Sequence, residues 1–169
     1  MSEEYFRYSS TRYLGESGIT HPCATAIAAI LTSAFRPEKI TAVIGDYDGY
    51  DHEAVLFLVW NWADQGLTII PDGFGTHVGS GGAGLSAALG LIKFYELPLL
   101  EVWIRNKKAF RELAGGKLTE EMFDELQEAQ DYNWDFYYVS EVKKVKRGKQ
   151  QFLEVKRENG NTYFNIRLP

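Results

Sequence analysis

The sequence predicts an α/β fold: a small, mostly parallel sheet flanked by helices, followed by a C-terminal antiparallel β-meander. Strand-like and helix-like segments alternate through most of the chain, a rhythm typical of parallel strands joined by crossover helices. The C-terminal part instead contains strand-like segments only, and Asn159-Gly160 within it is a hairpin signal. A length of 169 residues suits one domain. We therefore expect a single domain in which a meander over 132–169 packs on an α/β layer over 1–131.

Hydrophobic periodicity places the individual elements. The segment 52–65 is apolar on nearly all sides, so we predict a helix that is covered either by the rest of the fold or by another copy of the chain. Thr20 and Pro22 favour a helix start. The other predicted strands and helices are strands at 4–10, 40–45, 66–70, 99–104, 135–145, 151–157 and 162–168, and helices at 24–35, 85–96 and 106–131.

Composition limits the class of protein. Hydrophobic residues make up 45% of the chain and aromatic residues 14%, which is typical of a packed globular protein. No apolar run reaches the roughly 18 residues of a membrane span, and the N-terminus lacks the pattern of a secretory signal. Cys23 is the only cysteine, which excludes an intrachain disulfide. We expect a cytoplasmic protein with no membrane partner.

Charge is unevenly distributed along the chain. Residues 1–135 contain 10 Lys/Arg and 20 Asp/Glu, whereas residues 136–169 contain 8 Lys/Arg and 3 Asp/Glu. The basic C-terminal segment is either a patch for an anionic partner or a solvated hairpin whose lysines discourage edge-to-edge pairing. We favour the second interpretation. Because the total charge is −5, we do not expect a nucleic-acid partner.

A glycine-rich segment over 73–84, with six glycines in twelve residues, is the feature that most suggests a site. Backbone N–H groups without neighbouring Cβ atoms can bind an anion at a helix N-terminus. Alternatively, the glycines allow a helix to pack closely on a sheet. We favour the first interpretation and expect a small anionic ligand. The predicted ligand-binding residues are Gly75, Thr76, Gly79, Ser80, Gly81, Gly82, Gly84, Asp46, Tyr47, Tyr50 and His21.

The three histidines lie at predicted loop-to-helix junctions, which converge on one edge of a parallel sheet. Acidic residues at 46, 48, 51 and 53 belong to the same edge. A metal ion could be held by His21, His52 and His77, but no standard metal-ligand spacing occurs, so we expect no metal. In a metal-free site His77 could act as acid or base with Asp48 or Glu53.

These observations predict a binding domain for a nucleotide-like or other phosphate-bearing ligand. Two alternatives remain open. One is an enzyme on a nucleotide-type substrate, a hydrolase or glycosyl transferase that uses His77, Asp48 and Glu53. The other is a protein-interaction module, such as an immunity factor or a phage-encoded inhibitor, or a homo-oligomer formed through the helix at 52–65. The sequence identifies no cofactor.

Overall fold

The computed structural model contains two β-sheets and four helices in the part of the chain that it describes. That part comprises residues 10–33, 36–46, 53–61, 66–75, 80–126, 128–131, 141–156 and 162–168. The strands are β1 (Ser10–Tyr13), β2 (Lys39–Asp46), β3 (Glu53–Asn61), β4 (Gly66–Gly75), β5 (Leu99–Ile104), β6 (Gln130–Asp131), β7 (Glu141–Arg147), β8 (Gln150–Lys156) and β9 (Thr162–Arg167). The helices are α1 (Thr20–Leu31), α2 (Ser80–Phe94), α3 (Lys107–Ala114) and α4 (Glu120–Leu126).

The larger sheet has the strand order β1-β4-β3-β2-β5-β6 and is mixed. Strand β1 is parallel to β4, and β2 is parallel to β5, but β3 is antiparallel to both of its neighbours and β6 is antiparallel to β5. The predicted mostly parallel sheet flanked by helices is therefore wrong. Strands β7, β8 and β9 form a second, separate sheet that is antiparallel throughout.

The error originates in β3, the segment that we predicted as the helix 52–65. Its seven central residues, 54–60, are all buried. A strand that is covered on both faces is apolar at every position, so its pattern resembles that of a buried helix. Because β3 lies in the middle of the sheet, hydrogen-bonded on both edges, it offers no surface to a second copy of the chain. Residues 53–61 are thus not available for the predicted homo-oligomer contact, and positions 52 and 62–65 of the predicted helix lie outside the described residues.

Alternate side chains of β3 point into two different cores. Val55, Phe57 and Val59 belong to the core that contains α1 and α2. Ala54, Leu56, Leu58 and Trp60 belong to the core on the opposite face, which contains α3 and α4. The helices therefore cover both faces of the mixed sheet.

The three-stranded sheet forms a further layer over α1 and α2. Leu153 and Val155 of β8, with Ile166 and Leu168 at β9, are buried in the same core as these two helices. Helices α1 and α2 are thus enclosed between two sheets, which explains why both are apolar on more than one side. None of the helices within the described ranges is long and apolar enough to cross a membrane.

Gly45 near the end of β2 packs directly under a helix. A Cβ atom at this position would lie only 2.5 Å from Cγ of Phe110 in α3, and Phe110 is itself buried. We expect Gly45→Ala to lower the free energy of unfolding by about 1–3 kcal/mol, as overpacked cores do. Chemical denaturation measures this change. In a Phe110→Leu background the same substitution should cost less, and an equal cost in both backgrounds would contradict the proposed contact.

Candidate functional site

The ends of three parallel strands lie at one edge of the mixed sheet. Strands β4, β2 and β5 run in the same direction and finish at this edge, whereas β1, which is parallel to them, ends beside Ile69 in the first half of β4. The register pairs Asp46 with Glu53 and Gly75 with Ala54, so three predicted site positions, 46, 53 and 75, lie on adjacent strands. The structure therefore places these three of the predicted site positions close together at one edge of the sheet.

Most of the other residues predicted at this edge lie outside the described residues. They are Tyr47, Asp48, Tyr50, His52, Thr76, His77 and Gly79. The convergence of the three histidines and the roles of His77 and Asp48 in catalysis consequently stay predictions. Within the described part of the chain, no group of three or more His, Cys, Asp or Glu residues could hold a metal ion.

The glycine-rich segment is not one continuous loop. Gly73 and Gly75 belong to β4, whereas Ser80, Gly81, Gly82 and Gly84 lie in the first turns of α2. The prediction of a single loop over 73–84 is therefore wrong, because strand and helix each extend further into the segment than glycine propensities suggest. Ligand binding by these positions stays a prediction.

Two of these glycines allow the start of α1 to approach both β4 and α2. A Cβ atom at Gly73 would lie 2.5 Å from the carbonyl oxygen of Ile19 and 2.7 Å from Sγ of Cys23. A Cβ atom at Gly84 would collide with Cγ2 of Thr20. The Thr20 hydroxyl donates a hydrogen bond to the Gly73 carbonyl at 2.6 Å. Close packing of helix on sheet thus explains why residues 73 and 84 are glycine.

The same junction buries Cys23. Its side chain is fully buried, and its thiol donates to the carbonyl oxygen of Glu16 at 3.3 Å. Burial is the largest effect on the thiol and raises the pKa of Cys23. A thiol that stays protonated at neutral pH is a poor nucleophile, so Cys23 has a packing role.

His21 is the one predicted ligand-binding residue that lines a described cavity. It follows Thr20 in the first turn of α1, where its side chain is exposed. An open groove of about 700 Å³ separates this turn from the three-stranded sheet. Among the residues that line it are Glu16, His21, Pro22, Phe152, Asn165 and Arg167. We refer to this cavity as the α1 groove.

Two arginines lie on the sheet side of the α1 groove or next to it. Nε of Arg167 donates a hydrogen bond to Oε1 of Gln150 at 2.8 Å. The Arg147 guanidinium lies 5.7 Å from the centre of the Phe152 ring and forms a 3.0 Å ion pair with Glu154. An aromatic ring flanked by arginines is suited to contacts with a partner that is both apolar and anionic.

The other side of the groove continues into the loop over residues 14–19, which has an apolar residue at each end and is here called the docking loop. Leu14 is 42% exposed and Ile19 is 45% exposed. Gly15 and Glu16, which lie between them, line the groove. The described surface thus joins exposed apolar side chains to a polar groove.

Sequence reasoning missed Phe152, Asn165, Arg167 and the docking loop. The groove joins α1 to strands more than 120 residues later in the chain, and such a pairing has no local signal. The basic composition of the C-terminal segment was the available hint.

Comparison with known proteins identifies the fold alone. No protein-family model matches the chain, and no curated protein matches it. A chain in a solved structure of respiratory complex I from Thermus thermophilus is similar in fold, with a TM-score of 0.57 and 18% sequence identity. The match covers 72% of this chain and 95% of that chain.

The packing role of Gly84 can be tested with a paired substitution. We expect Gly84→Ala to destabilise the protein by about 1–3 kcal/mol, because its methyl group would collide with Cγ2 of Thr20. Thr20→Ser removes that methyl group and keeps the hydroxyl that bonds Gly73. In this background the cost of Gly84→Ala should fall, as measured by urea denaturation. If the cost is unchanged, Thr20 does not set the requirement for glycine.

The Cys23 thiol predicts a dependence of stability on alkaline pH. The folded state raises its pKa above the ordinary value of 9.0, so the unfolded chain loses the proton first as the pH rises. This contribution is fully present below pH 9 and is lost as the pH rises through the folded pKa. Denaturation between pH 7 and pH 10.5 should show stability decreasing above pH 9, less steeply in Cys23→Ala. The same slope in both proteins would contradict the assignment.

Proposed function

We propose that this chain is a protein-interaction module that docks onto a partner protein through the docking loop and the α1 groove. The observation that carries the proposal is the exposure of Leu14 and Ile19 beside a groove that contains Phe152 and Arg167. Apolar anchors, aromatic residues and arginines within a polar rim are characteristic of protein interfaces.

The docking loop is held in place although its apolar side chains face solvent. The Ile19 N–H donates to the Glu16 carbonyl at 3.1 Å, and the Gly18 N–H donates to the Asp72 carbonyl at 3.3 Å. The Ser17 hydroxyl also donates to Oδ1 of Asp72. Anchors fixed before binding lose little conformational entropy when they dock, which favours affinity.

The similarity in fold to a chain of respiratory complex I is consistent with a role among protein partners. The identity of 18% carries no partner over to this chain. It supports only the general proposal that a fold of this kind can serve as part of a protein complex.

A second candidate is the binding of a small phosphate-bearing ligand in the α1 groove. It is favoured by His21, which lines the groove together with Arg167. Glu16 on the same lining would repel an anion, so we rank this candidate below protein docking. Catalysis by His77 and Asp48 depends on residues outside the described ranges and stays a prediction.

Site-specific cross-linking tests the docking proposal. A photoreactive p-benzoyl-phenylalanine placed at Ile19 should cross-link one defined protein in cells of the source organism. The control is Phe94, which is similarly exposed at 48% but lies at the other end of α2. The cross-linked protein, once identified and purified, should bind the unmodified chain. Leu14→Asp should weaken binding about tenfold, as loss of an interface anchor does, whereas Phe94→Asp should not.

Two outcomes would overturn the proposal. One is cross-linking that is equal at positions 19 and 94, and the other is a purified partner whose affinity is unaffected by Leu14→Asp. If inorganic phosphate or nucleotides raise the melting temperature while no partner is found, the ligand candidate replaces the docking one.

A further inference from the structure

The three-stranded sheet has one buried face and one outward face, and its register assigns the residues to each. Leu153, Val155 and Ile166 are buried in the core with α1 and α2, so they define the inward face. The cross-strand sets Lys143–Glu154–Asn165, Val145–Phe152–Arg167 and Arg147–Gln150 occupy the alternate positions, which face outward. We call this outward surface the basic face; its charged residues in these three sets are Lys143, Arg147, Glu154 and Arg167.

Positive charge exceeds negative charge on the basic face. Among its described side chains, Glu154 is the single carboxylate, and it pairs with Arg147 at 3.0 Å. Arg167 donates a hydrogen bond to Gln150, a neutral acceptor that does not cancel the guanidinium charge, and within the described ranges no carboxylate forms an ion pair with it. Lys143 is exposed. The basic face therefore retains cations that are positioned to meet an anionic partner.

The basic face and the α1 groove share residues. Phe152, Asn165 and Arg167 belong to both, so a chain segment lying in the groove would also contact the basic face. This sheet comes from the basic end of the sequence, since residues 136–169 contain 8 Lys/Arg and 3 Asp/Glu. The positive charge of the protein is thus concentrated beside the proposed docking surface.

We infer that the partner presents an acidic, Asp/Glu-rich protein segment, which binds along the basic face as far as Phe152 on the sheet side of the α1 groove and does not cross the groove to Glu16. This inference rests on the proposed function and adds the chemistry of the partner. The carboxylates would meet Lys143 and Arg167, and the aliphatic parts of the segment would cover Phe152. An acidic protein segment is favoured over a nucleic acid because residues 1–135, with 20 Asp/Glu against 10 Lys/Arg, would repel the longer phosphate backbone.

A labelled peptide of ten glutamates serves as the probe, with a peptide of ten glutamines as its uncharged match. Fluorescence anisotropy should show that the glutamate peptide binds the full chain, that salt weakens this binding, and that the glutamine peptide does not bind. The double variant Lys143→Gln/Arg167→Gln should weaken binding about tenfold, as expected for two exposed charge contacts.

The control is a second double variant that has the same net charge as Lys143→Gln/Arg167→Gln. Lys108→Gln/Lys117→Gln removes two exposed cations from the region of α3, which packs on the other face of the mixed sheet. It should leave the peptide affinity unchanged, because it removes the same amount of positive charge as the first double variant but from a surface that the peptide does not contact. Thermal unfolding should give both double variants the stability of the parent. If Arg167→Gln destabilises the fold, Lys143→Gln alone should still weaken binding severalfold.

Several results would overturn the inference. They are equal loss of affinity in the two double variants, tighter binding of a single-stranded oligonucleotide than of the glutamate peptide, and self-association that the peptide does not displace. If cross-linking at Ile19 still captures a partner whose affinity is insensitive to Lys143→Gln/Arg167→Gln, the acidic chemistry is wrong and the docking proposal stands. If the peptide binds but no partner is cross-linked at Ile19, the basic face binds acidic segments and the docking proposal fails.

Discussion

The fold depends on covering both faces of β3. Its residues 54–60 are buried without interruption, and alternate side chains belong to two separate cores. A single layer of helices would cover only one face of such a strand and leave the apolar side chains of the other face exposed. Helices α1 and α2 must therefore lie on one face and α3 and α4 on the other. Phe57 shows how specific this packing is, since its ring meets that of Phe74 on β4 edge-to-face, with centroids 5.2 Å apart.

Enclosure of α1 and α2 between two sheets has consequences at their N-terminal ends. The helices approach each other and β4 so closely that Gly73 and Gly84 have no room for a side chain. Thr20 and Cys23 occupy the space that these glycines leave, and the segment before α1 is directed outward as the docking loop. The α1 groove is thus a product of core packing: the first turn of α1 is fixed by β4, and the second sheet ends beside it.

The sequence was sufficient to predict some elements and insufficient for others, for physical reasons. Strands β2 and β5 and helix α1 have local signals, and the C-terminal strands pair antiparallel as their hairpin pattern indicates. Strand β3 was mistaken for a helix because uniform apolarity carries no period. Ser80 to Gly84 was assigned to a loop because glycine disfavours helices, yet close packing against Thr20 requires small residues in the first turns of α2. The groove residues Phe152 and Arg167 depend on a long-range pairing that no local pattern encodes.

The two parts of the proposed docking surface differ in their physical contributions. Leu14 and Ile19 offer apolar area, which contributes about 25 cal/mol for each Å² that a partner removes from water. The cations of the basic face contribute less affinity, because exposed charges are screened and well hydrated. Their field instead steers and orients an approaching partner and rejects like-charged ones. Because the rest of the chain is acidic, that field is directed at one surface, so the docking loop provides affinity while the basic face restricts which partners reach it.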